Sequence, residues 1–176
     1  MKRFVLAPAA AALAVFVWGF LYYGLSGLPY RALQPSSALA SLGRLPADGT
    51  YALPDPTLGG TEAAQAMATG PVAMVHYRGT PRPMGATMAM GYAHGFVCCL
   101  VLSLLLWRTR AAVDTFRCRV MFTTLVGVLG TVFANVGAVA WWQHDWAWAA
   151  ATMAYDILAF LIAGLVLAPF HSTGKP

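Results

Sequence analysis

The sequence predicts an all-α integral membrane protein with four transmembrane helices, and three observations support that fold class. Only 10% of the residues are charged and 59% are hydrophobic, whereas soluble domains carry about 25% charged residues. Four apolar runs are each long enough to cross a hydrocarbon core of about 30 Å. Basic residues and tryptophans at the ends of these runs agree on one orientation. We therefore predict a single membrane domain over residues 1–176.

The four apolar runs set the predicted helix boundaries. A spanning helix needs about 20 mostly apolar residues, and the runs cover approximately residues 4–25, 84–107, 120–142 and 146–170. The first run follows Lys2 and Arg3, as the apolar stretch of a signal peptide does. It continues through the bulky residues 16–23, where a cleavage site needs small side chains, so we expect a retained helix.

Charges in the short loops predict the orientation. Seven basic residues fall on one side of four crossings: Lys2, Arg3, Arg108, Arg110, Arg117, Arg119 and Lys175. Because Lys and Arg are enriched in cytoplasmic loops, both termini are predicted to be cytoplasmic. Indole rings prefer the membrane–water interface. Trp107 is therefore expected to anchor the inner interface, and the outer interface is expected to hold Trp141, Trp142, Trp146 and Trp148.

The segment of residues 26–83 is predicted to form an extracytoplasmic cap. It holds eight of the eleven prolines and is too long for an ordinary loop. Short helices are predicted from Ser36 or Ser37 to Leu42 and from Thr61 to Met67. Thr50–Leu53 and Val72–Tyr77 are rich in strand-forming residues and are predicted to pair as a small β-hairpin. Two roles stay open, a structural cap over the bundle and a docking surface for another protein.

Polar residues inside the predicted helices mark a candidate site. His94 and Asp156 each lie about ten residues from the outer end of a helix, roughly 15 Å deep at 1.5 Å per residue. Asn135 is shallower. If the last three helices face one axis, a His–Asp pair with a nearby amide forms. Ionisable groups in the membrane favour a functional role such as proton handling or ligand binding, and the alternative is a polar pair that fixes helix packing.

A second pattern on the same helix suggests a metal site. Met90, His94 and Cys98 are spaced four residues apart and form one stripe. Thioether, imidazole and thiolate ligands suit copper or haem iron. Neighbouring turns are about 6 Å apart, so all three side chains seldom reach one ion. A bis-histidine haem needs a second deep histidine, which this topology lacks, so copper or haem is the minority interpretation and no cofactor is favoured.

Small residues at four-residue spacing predict close helix contacts. Such stripes let membrane helices approach closely. The second helix carries them at Gly85, Ala89, Gly91 and Gly95, and the third at Ala134 and Ala138.

Several function classes are excluded by the sequence. The net charge of +5 does not indicate nucleic-acid binding, because the basic residues sit at the ends of apolar runs. Phosphate-binding loops, the hydrolase elbow, the zinc-protease motif and Cys-X-X-Cys pairs are all missing from the sequence. The chain is therefore expected not to be an enzyme.

The order of landmarks resembles that of a loose group of small uncharacterised bacterial four-helix inner-membrane proteins. The residues that carry the resemblance are Phe16–Tyr23, Gly49–Tyr51 with Pro54, Gly70-Pro71 and the Trp141-Trp142 pair. The resemblance implies the architecture and a bacterial inner-membrane location. It implies no activity.

These observations favour an accessory or structural subunit of a larger inner-membrane complex. Its expected partners are the lipid bilayer and other membrane subunits or further copies of itself. The alternative is a membrane protein with a metal, haem or proton site around His94 and Asp156. A third hypothesis is a small oligomeric channel whose pore is lined by Asp156 and Asn135.

Overall fold

The computed structural model describes residues 2–34, 42–43 and 45–171 of the chain. These form two compact units, Met1–Leu33 with Met84–Pro176, and Gln34–Pro83. The short helix predicted from Ser36 or Ser37 to Leu42 lies, except for Leu42 itself, outside the described residues.

The larger unit is helical and contains four helices long and apolar enough to cross a bilayer, in agreement with the predicted number of spans. The spans are Val5–Leu25, Met84–Arg108, Phe116–Trp142 and Trp146–His171. They are built from α1 (Lys2–Gly19), α3 (Met84–Arg108), α4 (Phe116–Thr131), α5 (Gly137–Trp142) and α6 (Trp146–Leu167). The wide π-helical turns Phe20–Leu25 and Val132–Val136 extend α1 and join α4 to α5.

Local capping fixes where the last two spans begin. Thr115 accepts a hydrogen bond from the Cys118 amide, so α4 starts at Phe116, four residues before the predicted boundary. Asp145 accepts hydrogen bonds from the amides of Ala147 and Trp148 at the start of α6. These side chains satisfy amides that a helix start leaves without partners. Between the two spans, Gln143 adopts the left-handed conformation (φ 54°) that ends α5.

The early start of α4 places Arg119 inside the bundle instead of in a loop. Its side chain is only 3% exposed. The guanidinium donates to the carbonyl oxygens of Ala168, at 3.3 Å, and Asp114. Carbonyls at a helix C-terminus carry partial negative charge, which stabilises a cation there. Nε is the one buried side-chain polar atom among the described residues that lacks a hydrogen-bond partner.

Helix α1 packs against α3 and α6, and α6 packs against α4. The main core cluster lies where the beginning of α1 meets the ends of α3 and α6, and its larger members are Cys99, Leu102, Leu106 and Leu167. A hydrogen bond of 2.8 Å between Ser103 Oγ and His171 Nε2 joins the ends of the same two helices. This end of the bundle is therefore closed by packed side chains.

The smaller unit contains the predicted pairing of two strands. Strands β1 (Gly49–Leu53) and β2 (Ala73–Tyr77) pair in antiparallel register, with Tyr51 opposite Val75. Helix α2 (Gly60–Thr69) lies between them in the chain. Asp48 accepts a hydrogen bond from the Gly79 amide (2.8 Å) and pairs with Arg78 at 3.9 Å, which joins the start of β1 to the end of β2.

Candidate functional site

A cavity of about 620 Å³ lies among the spanning helices and is lined by residues of α1, α3 and α6; we call it the central groove. Its lining runs along α3 from Met84 to Leu102 and ends at the closed core cluster. Apolar and aromatic side chains provide most of the lining. Glycines at 19, 24, 91 and 95 contribute walls without side chains. Both ionisable residues that the sequence analysis singled out, His94 and Asp156, line this groove.

Asp156 is held from the side of α4. Its Oδ2 accepts a hydrogen bond from the Thr131 hydroxyl at 2.9 Å and another from Asn135 Nδ2 at 3.2 Å. Asn135 Nδ2 also lies 2.8 Å from Thr131 Oγ1, and its Oδ1 accepts from the Thr152 hydroxyl at 2.7 Å. Both donors therefore converge on one carboxylate oxygen. Asn135 and Asp156, which were predicted to lie near each other, are in direct contact.

The π-helical turn at Val132–Val136 contributes to this network. It contains Asn135, while Thr131 immediately precedes it. Single π turns inserted into helices occur frequently at functional sites. Here Asn135 Nδ2 also donates to the Thr131 carbonyl at 3.2 Å, so the side chain satisfies a backbone group within the irregular turn.

His94 belongs to the α3 wall of the groove. Its Nε2 lies 3.6 Å from Cys98 Sγ, one turn further along the helix. Asp156 belongs to the α6 wall. The structure brings both residues to one groove. The salt bridge found among the described residues joins Arg78 and Asp48, so His94 and Asp156 do not form an ion pair with each other.

The proposed metal ligands are divided between two surfaces. Cys98 lines the groove together with His94, whereas Met90 is 54% exposed and does not belong to the lining. Within the described part of the chain, no group of three His, Cys, Asp or Glu side chains is arranged to hold a metal ion. A copper or haem site on this stripe stays a prediction.

Aromatic rings form a contiguous cluster at the other end of the groove from the core. Tyr155 stacks on Trp18 with centroids 6.3 Å apart and meets Tyr23 edge to face at 4.9 Å. Tyr23 in turn contacts Tyr30 at 6.3 Å. The Trp18 indole donates to the Tyr155 carbonyl at 3.2 Å, which fixes α1 against α6. Of these rings, Tyr23, Tyr30 and Tyr155 line the groove.

The helices approach each other most closely at glycines other than the predicted ones. A Cβ on Gly127 would lie 2.4 Å from Phe160 Cβ, and one on Gly164 would lie 2.0 Å from Thr123 Oγ1. A Cβ on Gly85 or Gly95 would meet no atom within 4 Å, and a Cβ on Gly91 would lie 3.9 Å from the Phe16 ring. Ala89 and Ala134 are exposed, and Ala138 is half-buried. The α3 glycines therefore line or border open space, and α4 and α6 make the tight contact.

The predicted interface tryptophans are largely exposed. Trp141, Trp142 and Trp146 surround the turn between α5 and α6 and are 60–82% exposed, while Trp148 is half-buried. At the end of α3, the guanidinium groups of Arg108 and Arg110 lie 5.3 Å and 5.5 Å from the Trp107 ring centroid. The two clusters lie at opposite ends of the bundle, where interfacial anchors are expected.

Sequence reasoning considered Tyr155 as an extension of the polar network, but it missed Thr131, Thr152, Tyr23 and Tyr30. Thr131 lies four residues before Asn135 and shares its helix face, so helical spacing alone was a usable signal. The tyrosines gave no such signal, because aromatic side chains in membrane helices usually only pack.

No family model, curated protein or solved structure matches the chain. The functional proposal therefore depends on the geometry of the chain's own side chains. The candidate site consists of an apolar groove with two ionisable side chains on different helices and an aromatic cluster at one end.

Proposed function

We propose that this chain binds a small, largely apolar molecule from the lipid phase in the central groove. The carrying observation is a cavity of about 620 Å³ between membrane-spanning helices that contains His94 and Asp156. Small-molecule sites typically have volumes of about 300–1,000 Å³, mostly apolar linings and a few polar groups that orient the ligand. The groove has all three properties.

The size of the groove also favours a small molecule over a protein segment. A transmembrane helix has about 20 residues with their side chains, which is far more than this volume accommodates. The lining glycines leave room for the ligand body between α1 and α3. His94 and Asp156 then supply hydrogen-bonding groups for a polar head. In this proposal the deep polar residues serve binding, which develops the alternative prediction of an intramembrane site.

Protection of Cys98 from a thiol reagent tests the proposal. Cys98 is half-buried and lines the groove, whereas Cys118 is half-buried on α4 and provides an internal control. Protein washed free of lipid is treated with N-ethylmaleimide before and after a total lipid extract of the native membrane is added. We expect the extract to slow modification of Cys98 and to leave that of Cys118 unchanged.

Two matched glycine variants sharpen this experiment. A Cβ on either Gly95 or Gly130 meets no atom within 4 Å, but only Gly95 lines the groove. Gly95→Leu is expected to fill the groove, slow Cys98 modification and abolish any further protection. Gly130→Leu is expected to behave like the wild type. Equal protection of Cys98 in both variants, or none in the wild type, would overturn the proposal.

A second candidate function is that of an accessory subunit of a larger membrane complex. It is favoured by the first two turns of α3, where every residue from Met84 to Gly91 is exposed and Gly85 faces open space. Small residues on such a face fit a transmembrane helix of a partner protein or a second copy. Mild extraction of a tagged chain followed by mass spectrometry tests it. A stoichiometric membrane partner supports the role, and a lone chain contradicts it.

We further propose a bacterial inner-membrane location with both termini in the cytoplasm. Support comes from the basic residues at one end of the bundle, including the Arg108 and Arg110 pair beside Trp107. Reporter fusions at each terminus and within residues 26–83 test the topology. Activity of a cytoplasm-specific reporter at the internal site would reverse the assignment.

A further inference from the structure

Asp156 forms no salt bridge with any described residue. It is the one acidic residue within the four described spans, and none of the groove-lining residues is Lys or Arg. The ion pair that the described residues contain lies in the other unit, between Asp48 and Arg78. A carboxylate away from bulk water is stabilised when a cation pairs with it. The groove therefore offers a carboxyl group without a Lys or Arg partner, and His94 is the one basic side chain in its lining.

The hydrogen bonds to Asp156 leave one oxygen for this role. Thr131 and Asn135 both donate to Oδ2 from the side of α4. None of the described residues donates a hydrogen bond to Oδ1, and Asp156 lines the groove. The network orients the carboxylate and leaves Oδ1 as the acceptor for a ligand. Preorganised second contacts of this kind reduce the cost of binding.

The aromatic lining has the same charge preference. Tyr23 and Tyr155 meet at 4.9 Å with their planes inclined by 64°, and Tyr30 meets Tyr23 at the same inclination. Aromatic faces are electron-rich and attract an ammonium group within about 6 Å, and Tyr23, Tyr30 and Tyr155 all line the groove. Tyr155 directly precedes Asp156 in α6, so rings and carboxylate belong to one part of the groove.

We propose that the ligand is a lipophilic cation, an amine or quaternary ammonium on an apolar body, whose charge lies between Asp156 and the groove tyrosines. This inference rests on the proposed binding function and adds the charge of the ligand to it. The apolar body occupies the remainder of the groove towards Leu102, where the lining carries no formal charge.

Two probes of equal shape test the charge preference. Tetraphenylphosphonium is a cation, and tetraphenylsilane is its neutral counterpart. Binding of each is measured by equilibrium dialysis with protein in lipid nanodiscs, and empty nanodiscs correct for partition into lipid. We expect saturable binding of the cation and weaker binding of the neutral probe. Asp156→Asn, which keeps an acceptor oxygen for Thr131 and Asn135, is expected to weaken cation binding roughly 10- to 100-fold without weakening the neutral probe.

The outcomes distinguish a failure of the charge preference from a failure of ligand binding in the groove. If the neutral probe binds as tightly as the cation, and Asp156→Asn binds both, the charge inference is wrong and the groove remains a binding site. If neither probe saturates and Gly95→Leu matches the wild type, the binding function itself fails. Should Asp156→Asn not fold, the comparison of the two probes on the wild-type protein decides the charge preference alone.

Discussion

Gly164 of α6 lies directly against Thr123 of α4, so closely that a Cβ on the glycine would be 2.0 Å from the threonine Oγ1. Thr123 is fully buried, and its hydroxyl donates to the Val120 carbonyl at 2.9 Å. Backbone of Val120 lies 3.4 Å from the same point. Membrane helices associate through packing of small residues, so this contact holds α4, and with it the network around Asp156, in register with α6.

Gly164→Ala is expected to destabilise the bundle. Overpacking a tight site costs about 1–3 kcal/mol, and Thr123 is fully buried. The loss is measured as the change in unfolding free energy or melting temperature in detergent. Gly130→Ala is the matched control, because a Cβ at Gly130 meets no atom within 4 Å. Equal stability of the two variants would contradict the close contact.

Thr131→Val is expected to weaken the network around Asp156. Thr131 is 3% exposed; it donates to Asp156 and accepts from Asn135, and valine of similar shape does neither. Asn135 still donates to Asp156 in this variant, so the expected loss is that of the Thr131 hydrogen bonds, about 0.5–1.5 kcal/mol each. Thr124→Val is the control, since the hydroxyl of Thr124 bonds to the Val120 carbonyl of its own helix. A melting temperature for Thr131→Val equal to that of the control would show that the network contributes nothing to stability.

Asp145→Ala is expected to destabilise the start of α6. The Asp145 carboxylate accepts from two amides of the first turn, at 2.9 Å and 3.0 Å. Loss of such an N-cap costs about 0.5–2 kcal/mol. Hydrogen exchange of the first turn of α6 should rise in this variant and stay unchanged in Asp114→Ala. Unchanged exchange in both variants would argue against the cap.

Asp55, in the smaller unit, is expected to titrate at an unusually low pH. The Thr57 amide and then the Thr57 hydroxyl, each at 2.8 Å, hold the pKa of the Asp55 carboxyl below its usual range. Because the folded pKa is depressed, the turn gains stability above the ordinary pKa of aspartate. That gain is lost as the pH falls through the folded value. Carboxyl NMR titration measures it, and Thr57→Ala should raise the Asp55 pKa part of the way. An ordinary Asp55 pKa in the wild type would refute the turn geometry.

Hydropathy was sufficient to predict the four spans, because it depends on neighbouring residues in the chain. The start of the third span was misplaced, since Thr115 caps a helix whose first turn contains Arg117 and Arg119. Basic residues at that position are typical of a loop by composition. In the structure, Arg119 instead donates a hydrogen bond to the Ala168 carbonyl at the end of α6.

Helix rotation is the part of the fold that the sequence left undetermined. In an apolar helix, a face towards lipid and a face towards another helix have similar composition. This is why the glycine stripe of α3 gave no guide to the tight contact at Gly127 and Gly164. The contact between Asn135 and Asp156 was expected only if the helices face one axis, and both this contact and the separation of His94 from Asp156 depend on helix rotation.

Native mass spectrometry of the chain extracted directly from its own membrane, without delipidation, tests the binding groove most directly. Wild-type protein and Gly130→Leu are expected to carry one co-purifying small molecule per chain, and Gly95→Leu is expected to carry none. Identical small-molecule content in wild type and Gly95→Leu would contradict a ligand site between α1, α3 and α6.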